Sequence, residues 1–327
     1  MSPLSPWARK LTNGDRRTLA RSITKIESTR ADDQETAQAL LDELLANTGK
    51  AIRLGITGTP GVGKSTFIDA LGLVLLKQGH RVAVLAVDPS SNVTGGSILG
   101  DKTRMANLST RPEAFIRPSP SRGLTGGIAR RTRDAMLLCE VAGFDVVIVE
   151  TMGVGQAETA VAEITDLFLL LVAPGGGDDL QGIKRGVMEL ADIVAVNKAD
   201  SSFLTDARRT AADYKQALTL VRPKWPDFPT PVALCSAKTN EGLEELWSMI
   251  TQLHCSLSDA GHVAELRARQ AVLQLNREFD LLVSERIHRL PAFDKYRERI
   301  ESAVRDGSKS PSSAAAELAR RAWKEMA

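Results

Sequence analysis

The sequence is poor in cysteine, in histidine and in long apolar runs. Its three cysteines, Cys139, Cys235 and Cys255, lie far apart without a Cys-x-x-Cys pair. This spacing disfavours a zinc site or a disulfide framework and predicts buried, reduced thiols. No apolar run approaches the roughly 20 residues of a membrane span, and the segment around Pro3 and Pro6 lacks the apolar core of a signal peptide. We therefore expect a cytoplasmic protein, or one trimmed for an organelle matrix, with no membrane partner.

Neither sign of charge dominates the chain. Its 42 basic and 40 acidic residues leave a formal net charge of +2. Such a balance gives no large field for nucleic acid or anionic lipid, so we expect a protein or small-molecule partner and no nucleic acid. The length fits one α/β domain of about 200 residues with helical additions.

What is present is a series of short apolar strands that alternate with helical patterns. Continuous hydrophobicity marks strands that are covered on both faces, as in a parallel, doubly wound sheet. The short connection between the first helix and the second strand makes that strand parallel to the first, through a right-handed crossover. The predicted strands span residues 52–57, 82–87, 146–150, 167–172, 193–197 and 232–235. The fold class is therefore α/β with a mostly parallel sheet.

Helical patterns precede and follow these strands. An N-terminal helical hairpin is predicted to end near Gly49. Beyond Gly261 we predict a long helix with a wide apolar stripe and then helices around 296–304 and 314–323. That stripe either packs on the sheet domain or serves as a homodimerisation arm. We expect a helical extension at 1–49, the sheet domain at 50–258 and the arm at 259–327. The apolar positions are Leu19, Ile23, Ile26, Ala37, Leu40, Leu41, Leu44 and Leu45 in the hairpin, and Val272, Leu275, Phe279, Leu282, Val283, Ile287 and Leu290 in the arm.

A glycine-rich segment follows the first predicted strand and reads Gly58-Thr59-Pro60-Gly61-Val62-Gly63-Lys64-Ser65. It opens a helical stretch that starts at Thr66, which is the context that a phosphate-binding P-loop requires. Its glycines let successive N–H groups point at the phosphates, and the helix N-terminus adds partial positive charge. Lys64 then reaches the β- and γ-phosphates, and the Ser65 hydroxyl ligates Mg²⁺. The segment therefore predicts a nucleoside triphosphate as the ligand.

Two further segments follow later strands and predict the base of that nucleotide. The first is Asn197-Lys198-Ala199-Asp200, in which the Asp200 carboxylate accepts both the N1–H and the exocyclic N–H of guanine. Asn197 holds the loop and meets N7, and the stem of Lys198 lies over the base. The second is Ser236-Ala237-Lys238, whose backbone N–H groups contact the guanine oxygen. We therefore expect GTP and GDP as the bound nucleotides.

Acidic residues at strand ends are candidates for the metal and water shell. Glu150 begins the segment Glu150-Thr151-Met152-Gly153, where the carboxylate holds Mg²⁺ through water and the Gly153 N–H meets the γ-phosphate. Asp88 ends the second strand, at the carboxyl edge where such sheets bind ligands. Asp101 lies in a Gly- and Ser-rich loop that is typical of a nucleotide switch, or is a surface aspartate. Candidate transition-state arginines, each more typical of solvated surface, are Arg104, Arg117 and Arg122.

A second glycine-rich loop, residues 175–184, follows the fourth predicted strand. Three consecutive glycines predict a segment that moves, and Asp178, Gln181 and Lys184 are candidates for a switch that a partner presses into the site. An ordinary connection between a strand and a helix has the same composition.

Together these motifs resemble those of the metallochaperone GTPases of the MeaB/ArgK/methylmalonic-aciduria type A group, over nearly the whole chain. The resemblance implies a homodimeric P-loop GTPase that chaperones adenosylcobalamin-dependent methylmalonyl-CoA mutase, gating cofactor loading and protecting the enzyme. It also implies catalytic or metal-shell roles for Lys64, Asp88, Asp101 and Glu150, and it makes the 175–184 loop, with Asp178 and Lys184, the segment through which the mutase accelerates hydrolysis.

Intrinsic hydrolysis is expected to be slow, because no glutamine directly follows Gly153 where many GTPases place one that orients water; Gln156 lies three residues beyond. The scattered histidines and unpaired cysteines disfavour delivery of nickel or zinc. Three alternatives stay open: a P-loop kinase of a small molecule or protein, a chaperone of another adenosylcobalamin-dependent acyl-CoA mutase, and a binding module in which the nucleotide is structural.

Overall fold

The computed structural model describes residues 4–88, 105–120, 125–151, 157–175, 185–200, 202–288, 290 and 293–326. The chain divides into two compact units, Met1–Arg267 and Ala268–Ala327. The three-part division expected from the sequence stays a prediction. Within the described residues, no helix is both long and apolar enough to cross a lipid bilayer.

The first unit is built on a parallel sheet whose described strands number seven. Their order across the sheet is β3-β2-β4-β1-β5-β6-β7, and every neighbouring pair is parallel. The six strands predicted from the sequence are confirmed to within one residue at each end. The strands are β1 (Ile52–Gly58), β2 (Val82–Asp88), β3 (Ala114–Pro120), β4 (Val146–Thr151), β5 (Leu167–Val172), β6 (Ile193–Val196) and β7 (Val232–Leu234).

The strand that the sequence did not predict is β3, at one edge of the sheet. Pro118 and Pro120 lack the N–H that a ladder needs, and a strand that carries proline is tolerated at an edge, where one side has no neighbour. Arg117 of this strand forms an ion pair with Glu27 and also donates to the Thr24 hydroxyl. Arg117 therefore joins the edge strand to an N-terminal helix and is not a freely solvated surface residue.

Helices cover both faces of the sheet, and strand residues alternate between two apolar clusters. Val147 and Val149 of β4 lie in one cluster, whereas Val146 and Ile148 lie in the other. This alternation explains why the strands are apolar at successive positions. The helices of this unit are α1 (Pro6–Thr12), α2 (Arg16–Glu27), α3 (Ala31–Leu44), α4 (Lys64–Lys77), α5 (Ala106–Ser109), α6 (Thr125–Val141), α7 (Ala157–Ala162), α8 (Arg185–Leu190), α9 (Leu204–Leu218) and α10 (Leu243–Asp259), followed by the start of α11 (His262–His288).

The N-terminal helices share a hydrophobic cluster with the sheet. Leu19 and Ile23 of α2 are fully buried, and α2 packs on α6 and α3. The predicted hairpin corresponds to α2 and α3, and α1 precedes it as an unpredicted third helix. Leu45 was expected in the apolar stripe but is 56% exposed, because it follows the end of α3 in a short 3₁₀ turn.

The second unit contains most of α11 together with α12 (Phe293–Arg305) and α13 (Pro311–Met326). The predicted long helix and the two helices after it are thus confirmed. Helices α12 and α13 pack on each other. On α11 the predicted stripe is exposed at four positions, namely Val272 (58%), Leu275 (65%), Phe279 (64%) and Leu282 (53%).

The cysteines are only partly as expected. All three are free, and Cys139 and Cys235 are buried, where burial raises the pKa of the Cys235 thiol to about 12. Cys255 is exposed, so the expectation of burial was wrong for it. The apolar face of α10 carries Leu246, Trp247, Ile250 and Leu257, and Cys255 lies on a different side of the helix.

Candidate functional site

The predicted P-loop joins the end of β1 to the start of α4. Gly61 and Gly63 have φ angles of +83° and +90°, in the left-handed region that favours glycine. Gly63 caps α4 without a side-chain hydrogen bond, so the first N–H groups of α4 are left for an anion. At Gly58 a Cβ atom would lie 2.3 Å from the carbonyl oxygen of Leu171. The loop therefore requires glycine at 58 for space and at 61 and 63 for conformation.

Lys64, the first residue of α4, folds back over this loop. Its Nζ donates to the carbonyl oxygens of Gly58 at 2.6 Å and Thr59 at 3.3 Å. Burial lowers the pKa of the Lys64 ammonium, whereas the carboxylates of Glu150 and Glu158 act to raise it. The ammonium is thus a partly desolvated cation held at the loop, where its attraction for a phosphate is stronger than in water.

Ser65 and Glu150 bring a hydroxyl and a carboxylate together beside the loop. Ser65 Oγ donates to Glu150 Oε1 at 3.1 Å, and Glu150, in β4, is only 1% exposed. One residue further along β4, the Thr151 hydroxyl donates to that of Thr57 at 2.9 Å. Hydroxyl and carboxylate oxygens are the ligands that Mg²⁺ prefers, so these side chains fit a magnesium shell that a nucleotide's phosphates would complete.

The predicted base loop lies against the P-loop, and Asn197 joins the two. Its Nδ2 donates to the Val62 carbonyl oxygen at 2.9 Å, and its Oδ1 accepts from the backbone N–H of Ala237 at 3.0 Å. Asn197 is 2% exposed. One buried side-chain amide therefore connects the phosphate loop with both predicted base loops.

The other residues predicted to contact a base lie close to Asn197 and the P-loop. Lys198 has a φ of +59° and its Nζ donates to the Gly61 carbonyl oxygen at 2.8 Å, so its stem crosses towards the P-loop. The Ser236 hydroxyl is 3.3 Å from Asp200 Oδ2 and accepts from the Thr239 N–H. Asp200 is half-buried, Ser236 is buried and Lys238 is exposed.

A pocket of 460 Å³ opens over the P-loop. Its lining residues are Pro60, Gly61, Gly63, Lys64, Ser65, Thr66 and Glu150. The backbone of Asp88 ends β2, beside the end of β4, as expected for a residue at the carboxyl edge. Several other candidates lie outside the described residues: Asp101, Gly153, Asp178 and Lys184, with Arg104, Arg122, Gln156 and Gln181.

Glu158 belongs to the site although no sequence pattern singled it out. It lies on α7, is 2% exposed and acts on the Lys64 ammonium together with Glu150. Only its position shortly after the segment that begins at Glu150 places it near the same sheet edge. The bridging of Val62 by Asn197 was likewise unpredicted, because only the fold brings a carbonyl 135 positions away into contact.

Comparison with known proteins gives a consistent result. The family model described as methylmalonyl-CoA mutase-associated GTPase MeaB matches residues 19–290. The GTPase ArgK of Escherichia coli strain K12 is 45% identical, over 94% of this chain and 93% of its own. A mitochondrial methylmalonic aciduria type A homolog of Mus musculus is 43% identical, over 93% of this chain and 76% of its own. A crystal structure of a protein named LAO/AO transport system kinase superposes with a TM-score of 0.76 at 36% identity, covering 98% of this chain and 99% of that one.

Proposed function

Because the chain belongs to the MeaB family of mutase-associated P-loop GTPases and is a GTPase, we propose that it is a nucleotide-dependent chaperone of methylmalonyl-CoA mutase. It gates loading of the cobalamin cofactor and protects the mutase, with GTP binding and hydrolysis as its switch. The observation that carries the nucleotide part is the bridge from Asn197 to Val62 and Ala237. The description of the matching family supports the identity of the client.

Different groups of the chain bind the phosphates and the metal of the nucleotide. The P-loop N–H groups and the Lys64 ammonium bind the phosphates and neutralise charge that develops on the γ-phosphoryl group. Ser65 and Glu150, with Asp88 and Asp101, would hold Mg²⁺, which would supply neutralisation of phosphate charge. The Gly153 N–H contacts the γ-phosphate. Support for these roles comes from the contacts of Lys64 and Ser65 and from the position of β2 beside β4.

Specificity for guanine rests on Asp200. Its half-buried carboxylate is held by Ser236 and accepts two N–H groups of guanine, whereas adenine presents an unprotonated N1 in that place. Lys198 covers the base with its stem, and the N–H groups of Ala237 and Lys238 meet the base oxygen. A buried polar group that is left without a hydrogen-bond partner costs binding free energy. A base that lacks the matching N–H groups is therefore bound more weakly.

The switch is the 175–184 loop, with Asp178 and Lys184 as its charged groups. Hydrolysis by the chain alone is slow, and the mutase accelerates it by ordering this loop against the nucleotide. The family description, which names association with the mutase, supports the mutase as the partner in this step.

The chain acts as a homodimer through the exposed stripe of α11. Val272, Leu275, Phe279 and Leu282 follow one another at helical spacing and are each more than half exposed. A stripe of this size in water is typical of a surface that a second subunit covers. We place the protein in the cytoplasm, since its three cysteines are free, as in a reducing compartment.

The test is GTP hydrolysis by the purified protein with Mg²⁺, with and without methylmalonyl-CoA mutase, and with ATP as the control nucleotide. The proposal expects slow, GTP-specific phosphate release that rises with mutase. An unchanged rate at saturating GTP would remove this mutase as the client and leave other adenosylcobalamin-dependent acyl-CoA mutases to be assayed in the same way. Stoichiometric transfer of phosphate to a metabolite or protein would instead identify a kinase, the activity for which the protein in the similar crystal structure is named.

A further inference from the structure

A second cavity lies near the amino-terminal ends of the parallel strands, whereas the nucleotide site lies at their carboxyl ends. It occupies 290 Å³ between α8, the end of α9 and the segment before β7. Ala191 lines it just before β6, and Thr230 lines it just before β7. The P-loop, by contrast, follows the carboxyl end of β1. This cavity, called the α8–α9 groove below, is therefore separate from the site described above.

The floor of the groove is apolar and its rim is basic. Met188, Ala191, Leu218 and Val221 form the floor, and the exposed Lys215 and Arg222 stand at the rim. Beside the groove, Leu220 is 79% exposed. The apolar floor, with this side chain next to it, gives a partner an apolar surface to cover.

The rim cations are available to a partner, whereas the third nearby cation is not. Lys224 Nζ lies 2.8 Å from the buried Asp192 carboxylate, which also accepts from Trp225, so Lys224 is part of the structure. Over the part of the chain that the structure describes, Lys215 and Arg222 form no ion pair with a carboxylate. Glu189, the acidic residue of the lining, has an interaction of its own.

The groove also touches the helix that continues the proposed switch. Helix α8 begins at Arg185, directly after the 175–184 loop in the sequence, and Val187 and Met188 of α8 are buried. Six helical residues span only about 9 Å. An occupant that contacts Met188 therefore presses on a short rigid element whose first residue adjoins the loop.

We infer that the α8–α9 groove binds an acidic segment of the client mutase that carries one apolar side chain. The apolar side chain enters between Met188, Leu218 and Val221, and the segment's carboxylates pair with Lys215 and Arg222. Binding at this surface transmits to the switch through α8. The inference rests on the proposed function for the identity of the partner, and on the charge and apolar complementarity of the groove for the chemistry of the segment.

The experiment compares the full-length variant K215E/R222E with the control K50E/K77E. The control makes the same change of charge at exposed positions that also lie near the amino-terminal ends of the strands. Affinity for methylmalonyl-CoA mutase and GTP hydrolysis are measured for each, at low and at physiological salt. K215E/R222E should bind the mutase at least about tenfold more weakly and lose its stimulation, with unchanged basal hydrolysis. The control should behave as the wild type.

Carbodiimide cross-linking supplies a second measurement, because it joins an ammonium to a carboxylate in direct contact. Lys215 should cross-link to an acidic residue of the mutase, and Lys50 should not. Wild-type affinity in K215E/R222E, or a change in the chain's own oligomeric state alone, would overturn the inference while the proposed function stands. If the wild type itself fails to bind the mutase, the proposed function fails, and this assignment of the partner fails with it.

Discussion

The guanidinium of Arg267 binds the carboxylate of Asp166 through two hydrogen bonds, from Nε to Oδ1 at 2.7 Å and from Nη2 to Oδ2 at 2.6 Å. Asp166 is fully buried immediately before β5, and Arg267 lies on α11. The same guanidinium donates to the carbonyl oxygens of Gly49 and Ala51, just before β1. This ion pair therefore fixes the start of α11 to the sheet edge opposite the P-loop.

Replacement of Arg267 by alanine should leave the Asp166 carboxylate buried without its main partner. The expected loss in free energy of unfolding is about 3–5 kcal/mol at neutral pH, measured by urea denaturation. Arg269→Ala, at an exposed position of the same helix, is the matched control and should cost less than about 0.5 kcal/mol. A loss in Arg267→Ala as small as that in Arg269→Ala would show that the ion pair contributes little to stability.

The same ion pair sets a pH dependence. Burial acts to raise the pKa of Asp166, but the hydrogen bonds from Arg267 and the nearby His254 ring, whose Nε2 lies 3.4 Å from Asp166 Oδ2, outweigh it and hold the pKa at about 2, against an ordinary 3.8. Because the folded-state pKa is the lower one, the stabilisation of about 2 kcal/mol is complete above about pH 5 and is lost as the pH falls through 4 towards 2. Arg267→Ala should lose this contribution, so its stability should fall less steeply over that range.

Replacement of Lys64 by alanine should slow GTP hydrolysis by about 10²–10³-fold, because it removes a partly desolvated cation from the developing phosphate charge. Phosphate release at saturating GTP measures the effect. Lys77→Ala, at the exposed far end of the same helix, should keep the wild-type rate. Wild-type hydrolysis in Lys64→Ala would remove this lysine from the site.

Replacement of Asp200 by asparagine should transfer nucleotide preference from guanine to xanthine. The amide donates one N–H group, which guanine's own N–H groups cannot accept but the second carbonyl of xanthine can. Affinities for GTP and XTP should therefore change in opposite directions, by about tenfold or more each. Asp206→Asn, on the exposed first turn of α9, is the control. A parallel loss of both affinities would mean that Asp200 supports the loop and does not contact the base.

Replacement of Phe279 by aspartate should make the protein monomeric, because it places a charge in the exposed stripe proposed as the dimer surface. Sedimentation velocity at micromolar concentration measures the change, with Asp280→Asn, at the adjacent exposed position, as the control. If the wild type is already a monomer, the stripe is not a dimer surface. If both the wild type and Phe279→Asp are dimers, the contact lies elsewhere.

Much of the sheet could be predicted because its strands are buried on both faces, so that their apolar runs stand out against the helical patterns. Strand β3 was not predicted because Arg117, Pro118 and Pro120 interrupt its apolar run. Prolines are acceptable there only because the strand lies at an edge of the sheet, and a single sequence does not reveal that position. The burial predicted for Cys255 was wrong for a related reason, since whether a single helix residue is buried depends on which side of the helix packs on the sheet.

The candidate site could be predicted where a short motif contains its own geometry. Glycines and Lys64 in one octapeptide predict a phosphate loop, and Asp200 predicts a base contact. Asn197 was expected to meet the base, but its contacts with Val62 and Ala237 depend on three strand ends that meet only in the folded sheet. Its exact role toward a nucleotide stays a prediction, as do those of Asp101, Asp178 and Lys184, which lie outside the described residues.

The packing of α2 on α6 has a consequence for synthesis of the chain. Helix α2 leaves the ribosome well before α6, because roughly a hundred residues, whose synthesis takes about 5–20 s at ordinary elongation rates, separate the two helices. During that interval the apolar face with Leu19 and Ile23 lacks α6 and the later strands of the sheet. The nascent N-terminal helices are therefore open to chaperones and to aggregation in that interval, before any nucleotide can bind.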